Sequence, residues 1–551
     1  MTEHRPEAAA SLPRRSVLQL ALAGGAMPLL GAGARAQGKP KPAGQVVIGI
    51  SQEPTVFNPL LPHIEVDDGI YMSLFSPLWA VDPKGNFLPR LAAEIPTVAN
   101  GGVSEDGLLW RIKLRDGVTW HDGKPFTADD VKFTLDLIND PNFPAGTRSG
   151  HELVHDIKVV APNEISWRLE KPFSPYASIL AWTFIVPQHL LAGQADPRSS
   201  PFMRSPVGTG PFKWSERVPG DHITLTANEA YFDEGPYLER VVFKYIPDLT
   251  VLYTQFRTGD IDYISLQGIS ADHYQEAKAL PNRVVMPIPT ASIENFYFNL
   301  GLPQFKDPVV RQALYLSLDK GSIINDLYYG LPRPSESYLP PASWAYDPDL
   351  PKQVYDPERA KALLDGAGWK VGSGGIREKD GVQLQFSNST TAGNHLREQA
   401  QQLLQQNWQE IGVGMTIKNL PAAVMWGDYW IQSHFETAIV GINFMTGPDP
   451  AAADYFSSKA IAAQGGSGTN TMQYINPRLD ELMQQGATTL DRAKRVEAYR
   501  GVQSLLRQNL PFLPIFEYVT VEGTKTGLSG YQPNINVRLN AWNVNTWRWK
   551  T

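Results

Sequence analysis

The sequence contains no cysteine, and this absence excludes several kinds of chemistry. Disulfides, catalytic thiolates and metal sites with thiolate ligands cannot form. There is also no cysteine to carry a lipid that would anchor the chain to a membrane. The fold therefore has no disulfide cross-links.

Basic residues are outnumbered as well. The chain has 49 lysines and arginines against 56 aspartates and glutamates, a formal net charge of −7. This balance argues against a nucleic-acid partner, which needs a basic face, and against an anionic membrane surface. The 551 residues, 42% of them hydrophobic, are globular in composition and too many for a single core.

Long apolar runs are confined to the first part of the chain, so no later segment is predicted to span a membrane. The run from Val17 to Ala34 follows Arg14-Arg15 and ends in Ala34-Arg35-Ala36, a small-residue cleavage pattern. We expect residues 1–36 to be an export signal of the twin-arginine type that is cleaved after Ala36, with a Sec signal as the alternative. The mature chain would then be periplasmic.

The most regular local pattern is LRDGVTWHDGKPFTADDVKFTLDLI, residues 114–138. A strand-like run from Leu108 to Lys113 precedes it, and Asp-Gly turns flank a short run at 118–121 that predicts the second strand of a hairpin. Thr127 is placed to cap a following helix. The buried face of that helix is predicted to contain Val131, Leu135 and Ile138. Strand, turn, strand and capped helix are thus predicted, but they indicate no activity.

The string RDGVTWHDGKPFTADDV within this stretch resembles the signature of the peptide-binding family of solute receptors that serve ABC importers. Other segments match in the family's order: EPTVFNPL (53–60), SPVGTGPF (205–212), GDIDYI (259–264), FYFNLGLPQFKDPVVRQAL (296–314) and LPFLPIF (510–516). The family includes dipeptide, oligopeptide, nickel, opine and some oligosaccharide receptors. The resemblance extends over nearly the whole mature chain.

The resemblance implies an α/β fold with two lobes, which is the type II periplasmic-binding-protein-like fold with an extra third domain and a ligand cleft between the lobes. It implies that residues 37–88, 208–295 and 520–551 form lobe I, residues 89–207 the small extra domain and residues 296–519 lobe II. The expected function is to capture a peptide or peptide-like solute and deliver it to ABC permease subunits in the inner membrane. We expect a monomer with no cofactor and no enzymatic activity.

The segment 53–58 follows the strand-like run from Gln45 to Ile50, and two prolines keep it extended. Ligands in open α/β sheets bind beyond the carboxyl ends of strands, so Glu53, Thr55 and Asn58 are candidate cleft residues. The alternative is a rigid turn whose polar residues face solvent. The resemblance also places this loop on the cleft wall.

The resemblance further implies two strands that cross between the lobes. The first contains residues 296–299, and the second, residues 511–519, has two aromatic residues facing one way at period two. The candidate ligand residues on these strands are Asn295, Tyr297, Phe516 and Tyr518.

Peptide receptors of the family hold the ligand's α-ammonium with an aspartate a few residues after a glycine-tryptophan pair. The matching segment here begins Gly441-Ile442-Asn443, and the aspartate position falls on Met445 or Thr446. Because an unpaired buried ammonium is costly, we expect weak or no binding of simple di- and tripeptides. A modified peptide, an opine-like conjugate or an oligosaccharide should bind better. Asn443 and Met445 are candidate ligand residues, and the carboxylates that could replace the aspartate are Glu53, Asp67, Asp68 and Glu517.

The segment His151-Glu152-Leu153-Val154-His155 matches the H-E-x-x-H motif of zinc peptidases. An exported zinc metallopeptidase built on His151 and His155 is therefore the alternative class of function. The motif binds metal only on a helix, and the preceding Pro144, Gly146 and Gly150 disfavour one. We expect no catalytic residue and no metal site.

Two other segments carry predictions. Met425, Trp426 and Trp430 form a patch that could stack a sugar, although core packing is the favoured interpretation. The tail from Val537 to Trp549 is predicted to be strand-like and to return to lobe I.

Overall fold

The computed structural model describes residues 41–194, 198–445 and 447–550, without the side chains of Gln267, Ala422 and Ala423. The expected export signal, residues 1–36, lies outside the described residues, as does Thr446.

The strands define one large sheet and several small ones. Along the chain they are β1 (Gln45–Ile50), β2 (Trp79–Val81), β3 (Phe87–Pro89), β4 (Leu109–Lys113), β5 (Val154–Ala161), β6 (Glu164–Leu169), β7 (Phe212–Val218), β8 (His222–Ala227), β9 (Arg240–Tyr245), β10 (Tyr263–Ile269), β11 (Arg283–Phe298), β12 (Arg333–Pro334), β13 (Lys370–Val371), β14 (Arg377–Lys379), β15 (Val382–Gln383), β16 (Gln385–Ser389), β17 (Gly414–Ile417), β18 (Thr437–Asn443), β19 (Phe512–Lys525), β20 (Leu528–Ser529) and β21 (Arg548–Trp549).

Helices cover the faces of these sheets. They are α1 (Asp67–Leu74), α2 (Ala128–Asn139), α3 (Tyr176–Leu180), α4 (Gln188–Leu191), α5 (Leu249–Thr258), α6 (Tyr274–Lys278), α7 (Pro303–Lys306), α8 (Pro308–Leu316), α9 (Lys320–Ser322), α10 (Pro357–Gly366), α11 (His395–Glu410), α12 (Ala422–Met425), α13 (Asp428–Ile431), α14 (Ala453–Phe456), α15 (Pro477–Thr488) and α16 (Arg492–Asn509). Among the described helices none is long and apolar enough to span a bilayer.

The large sheet has 11 strands in the order β17-β16-β18-β11-β19-β10-β1-β9-β8-β7, with β12 paired to β19. β1 is parallel to β9 and β10, and β16 is parallel to β17 and β18. Two long antiparallel strands, β11 and β19, join these groups. We call β1 and β7–β10 the first half-sheet and β16–β18 the second half-sheet.

The first half-sheet is apolar where the sequence predicts a buried strand. Val46, Ile48 and Ile50 alternate along β1 and are fully buried, as a β-branched run in a parallel sheet requires. The register of β11 against β19 shifts between Pro289 and Ile293, which pair with Val519 and Glu517. We call this irregular region of β11 and β19 the crossing.

A separate antiparallel sheet, in the order β4-β6-β5, packs with α2 around its own apolar core. The predicted cap of α2 is confirmed, because the Thr127 hydroxyl accepts from the Asp129 amide and the Asp130 carboxylate accepts from the Thr127 amide. The predicted hairpin is wrong. Residues 118–121 form no strand, and β4 pairs instead with β6.

The tail differs from the prediction in one respect. Only Arg548–Trp549 is a strand, because the preceding residues form turns held by asparagine side chains such as Asn540 and Asn543. Trp547 is fully buried beside the first half-sheet, and the Trp549 indole donates to the Gln45 carbonyl at 2.8 Å.

The predicted core position of the Met425 patch is confirmed for two of its three residues. Met425 and Trp430 are buried in a core on one face of the second half-sheet, and Trp430 stacks on Phe435. Trp426 is 39% exposed.

Candidate functional site: the cleft at the crossing

Strands from both half-sheets run towards the crossing. Along β18, Thr437 pairs with Phe298 and Asn443 with Ser292, so its carboxyl end lies near the register shift. In the first half-sheet β10 begins opposite Thr524 and ends opposite Val521, and β1 is parallel to it. The carboxyl ends of parallel strands are where α/β proteins bind ligands, so the two sets of loops define a candidate cleft.

The parts of the chain on either side of this cleft touch at its rim. A methyl group placed on Gly447 would lie 3.3 Å from the Trp182 ring, and one placed on Gly85 would lie 3.5 Å from Pro448. The Ser174 amide donates to the Ala487 carbonyl at 2.8 Å. The cleft is thus bounded by the crossing on one side and by these contacts on the other.

The acidic side chains at the loop after β1 accept hydrogen bonds from nearby groups of the protein. Glu53 accepts from the Gly220 amide at 3.1 Å and from Arg217 at 2.8 Å, and these bonds lower the pKa of its carboxyl. Asp67 is buried and accepts amide hydrogen bonds from Thr55 and Ile64. Burial raises the pKa of Asp67 above its usual value. These bonds fix the shape of the loop.

Two more candidates of this loop region are also engaged. Asn58 is fully buried and its side-chain oxygen accepts from the Leu60 amide at 3.1 Å. Asp68 lies 3.0 Å from the His63 ring and 3.7 Å from the Arg538 guanidinium. The tail residues Val537, Trp542 and Asn545 line a small cavity of about 50 Å³ together with Phe75.

A buried ion pair lies beside the crossing, and the sequence did not reveal it. Arg397 donates from Nε and Nη2 to the two carboxylate oxygens of Glu294, at 2.7 and 3.0 Å. Nη2 also donates to the Tyr518 hydroxyl at 2.7 Å, and burial raises the pKa of that phenol. A Cβ on Gly441 would lie 2.4 Å from the Tyr518 ring, so glycine is required there. A glutamate inside the apolar run of β11 was the only sequence signal for this cluster.

The remaining candidates on β11 and β19 are mostly internal. Asn295 is fully buried, and its amide donates to the Ile293 carbonyl while its side-chain oxygen has no partner among the described residues. Tyr297 is buried against Trp430, and Phe516 is buried against Tyr328.

The two candidates at the end of β18 lie nearer the surface. Asn443 is exposed and its side-chain oxygen accepts from the Met445 amide at 3.0 Å. Met445 is half-buried against the same core as Ile442. Asn443 and Met445 therefore lie nearest the surface at the end of β18, whereas Tyr297 and Phe516 lie in the core and Tyr518 packs against Phe516.

Glu517 occupies the crossing itself. It pairs with Ile293 on β11 and with Arg333 on β12, and it is 3% exposed. Burial raises the pKa of its carboxyl to about 7, an effect that Arg333 opposes. No hydrogen bond or ion pair reaches this carboxylate from any described residue.

The H-E-x-x-H motif does not form a zinc site. His151 lies in a short 3₁₀ turn, His151–Leu153, 3.1 Å from the Thr183 hydroxyl, and burial lowers its pKa to about 4. His155 lies on β5, is exposed and pairs with Asp156. The two imidazoles are not on one helical face, so the metallopeptidase interpretation is wrong. In the described part of the chain no three His, Asp or Glu side chains group as metal ligands.

Comparisons with known proteins agree with this architecture. The family model described as bacterial extracellular solute-binding proteins, family 5 Middle, matches residues 86–464. The chain is 30% identical over 527 residues to the oligopeptide-binding protein AppA of Bacillus subtilis (strain 168), covering 93% of each chain. It is 26% identical to the dipeptide-binding protein of Escherichia coli (strain K12), covering 78% of this chain and 82% of that one.

Solved structures give the same result. AppA from Bacillus subtilis in complex with a nonapeptide superposes with a TM-score of 0.76 at 29% identity, covering 93% of this chain and 100% of that one. NikZ from Campylobacter jejuni in complex with Ni(L-His) superposes with a TM-score of 0.78 at 27% identity, covering 92% and 100%.

The predicted α/β fold, with two lobes of the type II periplasmic-binding-protein class, is therefore confirmed. The expectation that the protein is not an enzyme is confirmed by its relatives, which are binding proteins. The chain belongs to the bacterial extracellular solute-binding proteins, family 5.

Proposed function

We propose that the protein is the receptor of an ABC importer, which captures a peptide or peptide-like solute between two lobes and delivers it to permease subunits in the inner membrane. The observation that carries this proposal is the convergence of strand ends from both half-sheets on a crossing of two strands. The relatives named for oligopeptides and dipeptides support the peptide class.

The proposed lobes follow the boundaries expected from the sequence. Lobe I contains residues 37–88, 208–295 and 520–551, the extra domain contains residues 89–207, and lobe II contains residues 296–519. The register shift in β11 supports a hinge at the crossing, because irregular pairing absorbs rotation more easily than a continuous ladder. A solute that contacts both lobes would stabilise the closed form by its higher affinity for it.

We propose that the ligand site has an outer and an inner layer. The outer residues contact the solute, and the inner ones hold the cleft wall in shape. The outer residues are Asn443, Met445 and Tyr518, and the inner ones are Glu53, Asn58, Tyr297 and Phe516. Asn295 is an inner residue that can also bind the solute, because its side-chain oxygen has no partner among the described residues.

The ligand itself is proposed to be longer than a simple di- or tripeptide, or modified, because Met445 offers no charge to a peptide ammonium. A thermal-shift panel of dipeptides, nonapeptides, an opine-like conjugate and an oligosaccharide tests this. We expect a nonapeptide or a modified peptide to raise the melting temperature, and dipeptides to leave it unchanged. Micromolar binding of a plain dipeptide would overturn the ligand argument, and no response to any peptide would overturn the peptide class.

We further propose that the protein acts as a monomer in the periplasm after twin-arginine export and cleavage after Ala36. The arginine pair and the Ala-Arg-Ala pattern support this route. Replacing Arg14 and Arg15 with lysine should abolish export, measured as periplasmic yield in cell fractions. Unchanged yield would assign the signal to the Sec route instead.

A further inference from the structure

Four carboxylates near the cleft are candidates for binding a positive charge of the solute, and three of them are already engaged. Glu53 is bonded to Arg217, Asp67 accepts backbone amides, and Asp68 contacts His63. Glu517 is the fourth, and no described residue pairs with its carboxylate.

Glu517 lies on the same sheet face as Ile442, the last residue but one of β18. Ile293 on β11 pairs with Ile442 on one side and with Glu517 on the other, so these three residues form one row across the sheet. Cross-strand neighbours in such a row share a face. Glu517 therefore lies within the crossing, which bounds the cleft on one side, and on the sheet face that also carries Ile293 and Ile442.

A second acceptor without a donor lies on this face. Asn295 is two residues beyond Ile293 along β11, and side chains at this spacing point the same way. Its side-chain oxygen has no partner among the described residues, although it is fully buried. A carboxylate and an amide oxygen together can accept from a cation, and neither can donate to an anion once Glu517 is ionised.

The neighbouring side chains among the described residues provide no positive charge that pairs with the Glu517 carboxylate. Arg333 on β12 faces Glu517 across the ladder but is exposed and forms no ion pair with it. Tyr346 is the other titratable group close to it, and Glu517 contributes to raising the pKa of that phenol. An ionised carboxylate buried without a partner is strongly disfavoured, so a ligand cation would gain more here than at an exposed acid.

We propose that Glu517, with Asn295 beside it, receives an ammonium or guanidinium group of the solute. This rests on the proposed function and deepens it, since the substrate class becomes peptides or peptide-like solutes with a basic group that reaches the crossing. A metal ion fits less well, because the described residues contain no group of three carboxylate or imidazole side chains that could hold one.

The test uses nonapeptides with acetylated and amidated ends. One set carries a single lysine scanned through an otherwise uncharged sequence, and a matched set carries acetyl-lysine at the same positions. Isothermal titration at pH 8 with the wild-type protein should show, for at least one position, roughly tenfold tighter binding of the lysine form, the scale of one charged hydrogen bond. Glu517→Gln should reduce that ratio to about one while binding of the acetyl-lysine form stays within about twofold.

Glu497→Gln is the control, since it removes one exposed carboxylate of α16 and should keep the wild-type ratio. A wild-type ratio near one at every position, or an unchanged ratio in Glu517→Gln, would overturn the assignment while leaving peptide capture intact. Absence of binding by every peptide would overturn the assignment and the proposed function together. Glutamine keeps the shape of glutamate, so we expect Glu517→Gln to melt at a temperature no lower than wild type. That result would show that the loss of preference for the lysine peptide is not caused by unfolding.

Discussion

Arg397 and Glu294 show how individual residues stabilise the crossing. Both are at least nine-tenths buried, and their two hydrogen bonds are bidentate. Removing one partner leaves the other charge buried without compensation, whereas removing both leaves no unpaired buried charge. The pair thus fixes the position of β11 relative to α11 more than it adds net stability.

Arg397→Met should therefore lower the free energy of unfolding by about 3 to 5 kcal/mol, measured by urea denaturation. The double variant with Glu294→Leu should recover most of that loss. Arg478→Met is the control, because its ion pair with Glu481 is exposed and worth about 0 to 1 kcal/mol. Equal losses in the single and double variants would contradict a coupled pair.

Glu517 gives a prediction about pH. In the folded protein the side-chain carboxyl of Glu517 has a pKa of about 7, above the usual glutamate value. The folded state therefore binds the carboxyl proton more tightly than the unfolded state does. The stability contributed by the proton is fully present below the unfolded pKa and is lost as pH rises through about 7. Glu517→Gln should therefore match the wild-type melting temperature near pH 4 and exceed it at pH 8.

The expected gain at pH 8 is on the order of 1 kcal/mol or more, since one pKa unit corresponds to about 1.4 kcal/mol. Melting curves of the ligand-free proteins across this range measure it. A difference in melting temperature between Glu517→Gln and wild type that is the same at pH 4 and pH 8 would show that Glu517 does not titrate between these pH values in the folded state.

At the scale of elements, local patterns predicted local structure. The cap of α2 followed from Thr127 and the acidic residues beside it, because a capping box is formed within four consecutive residues. The hairpin at 118–121 was wrong, because β4 finds its partner β6 much later in the chain, and turn dipeptides carry no information about such pairing. The Glu294–Arg397 pair could not be predicted either, because its two residues are also far apart in the sequence. The loop after β1 could be predicted, because it depends on prolines and a buried strand that are adjacent in the sequence.

Thr127→Ala tests the capping element. Loss of the hydroxyl leaves the Asp129 amide without its side-chain acceptor, so unfolding free energy should fall by about 1 kcal/mol in urea. Thr526→Ala is the matched control, since Thr526 is exposed and caps no helix in the described chain. A smaller loss at Thr127 than at Thr526 would show that the capping box is not needed.

At the scale of the whole molecule, function depends on two α/β parts joined by β11 and β19. The family match and the superposed relatives establish the fold. The family resemblance in the sequence predicted this architecture correctly, since its motifs extend along most of the chain. The ligand was not predictable from sequence, because it depends on which side chains remain unpaired after folding, as Glu517 and Asn295 show.

In the proposed function, a peptide-type solute is captured by closure about the crossing. Small-angle X-ray scattering of the mature protein, with and without the tightest nonapeptide from the titrations, tests it directly. We expect a smaller radius of gyration with the peptide, because the solute stabilises the closed form of a hinged pair of lobes. An unchanged radius of gyration at saturating peptide would contradict it.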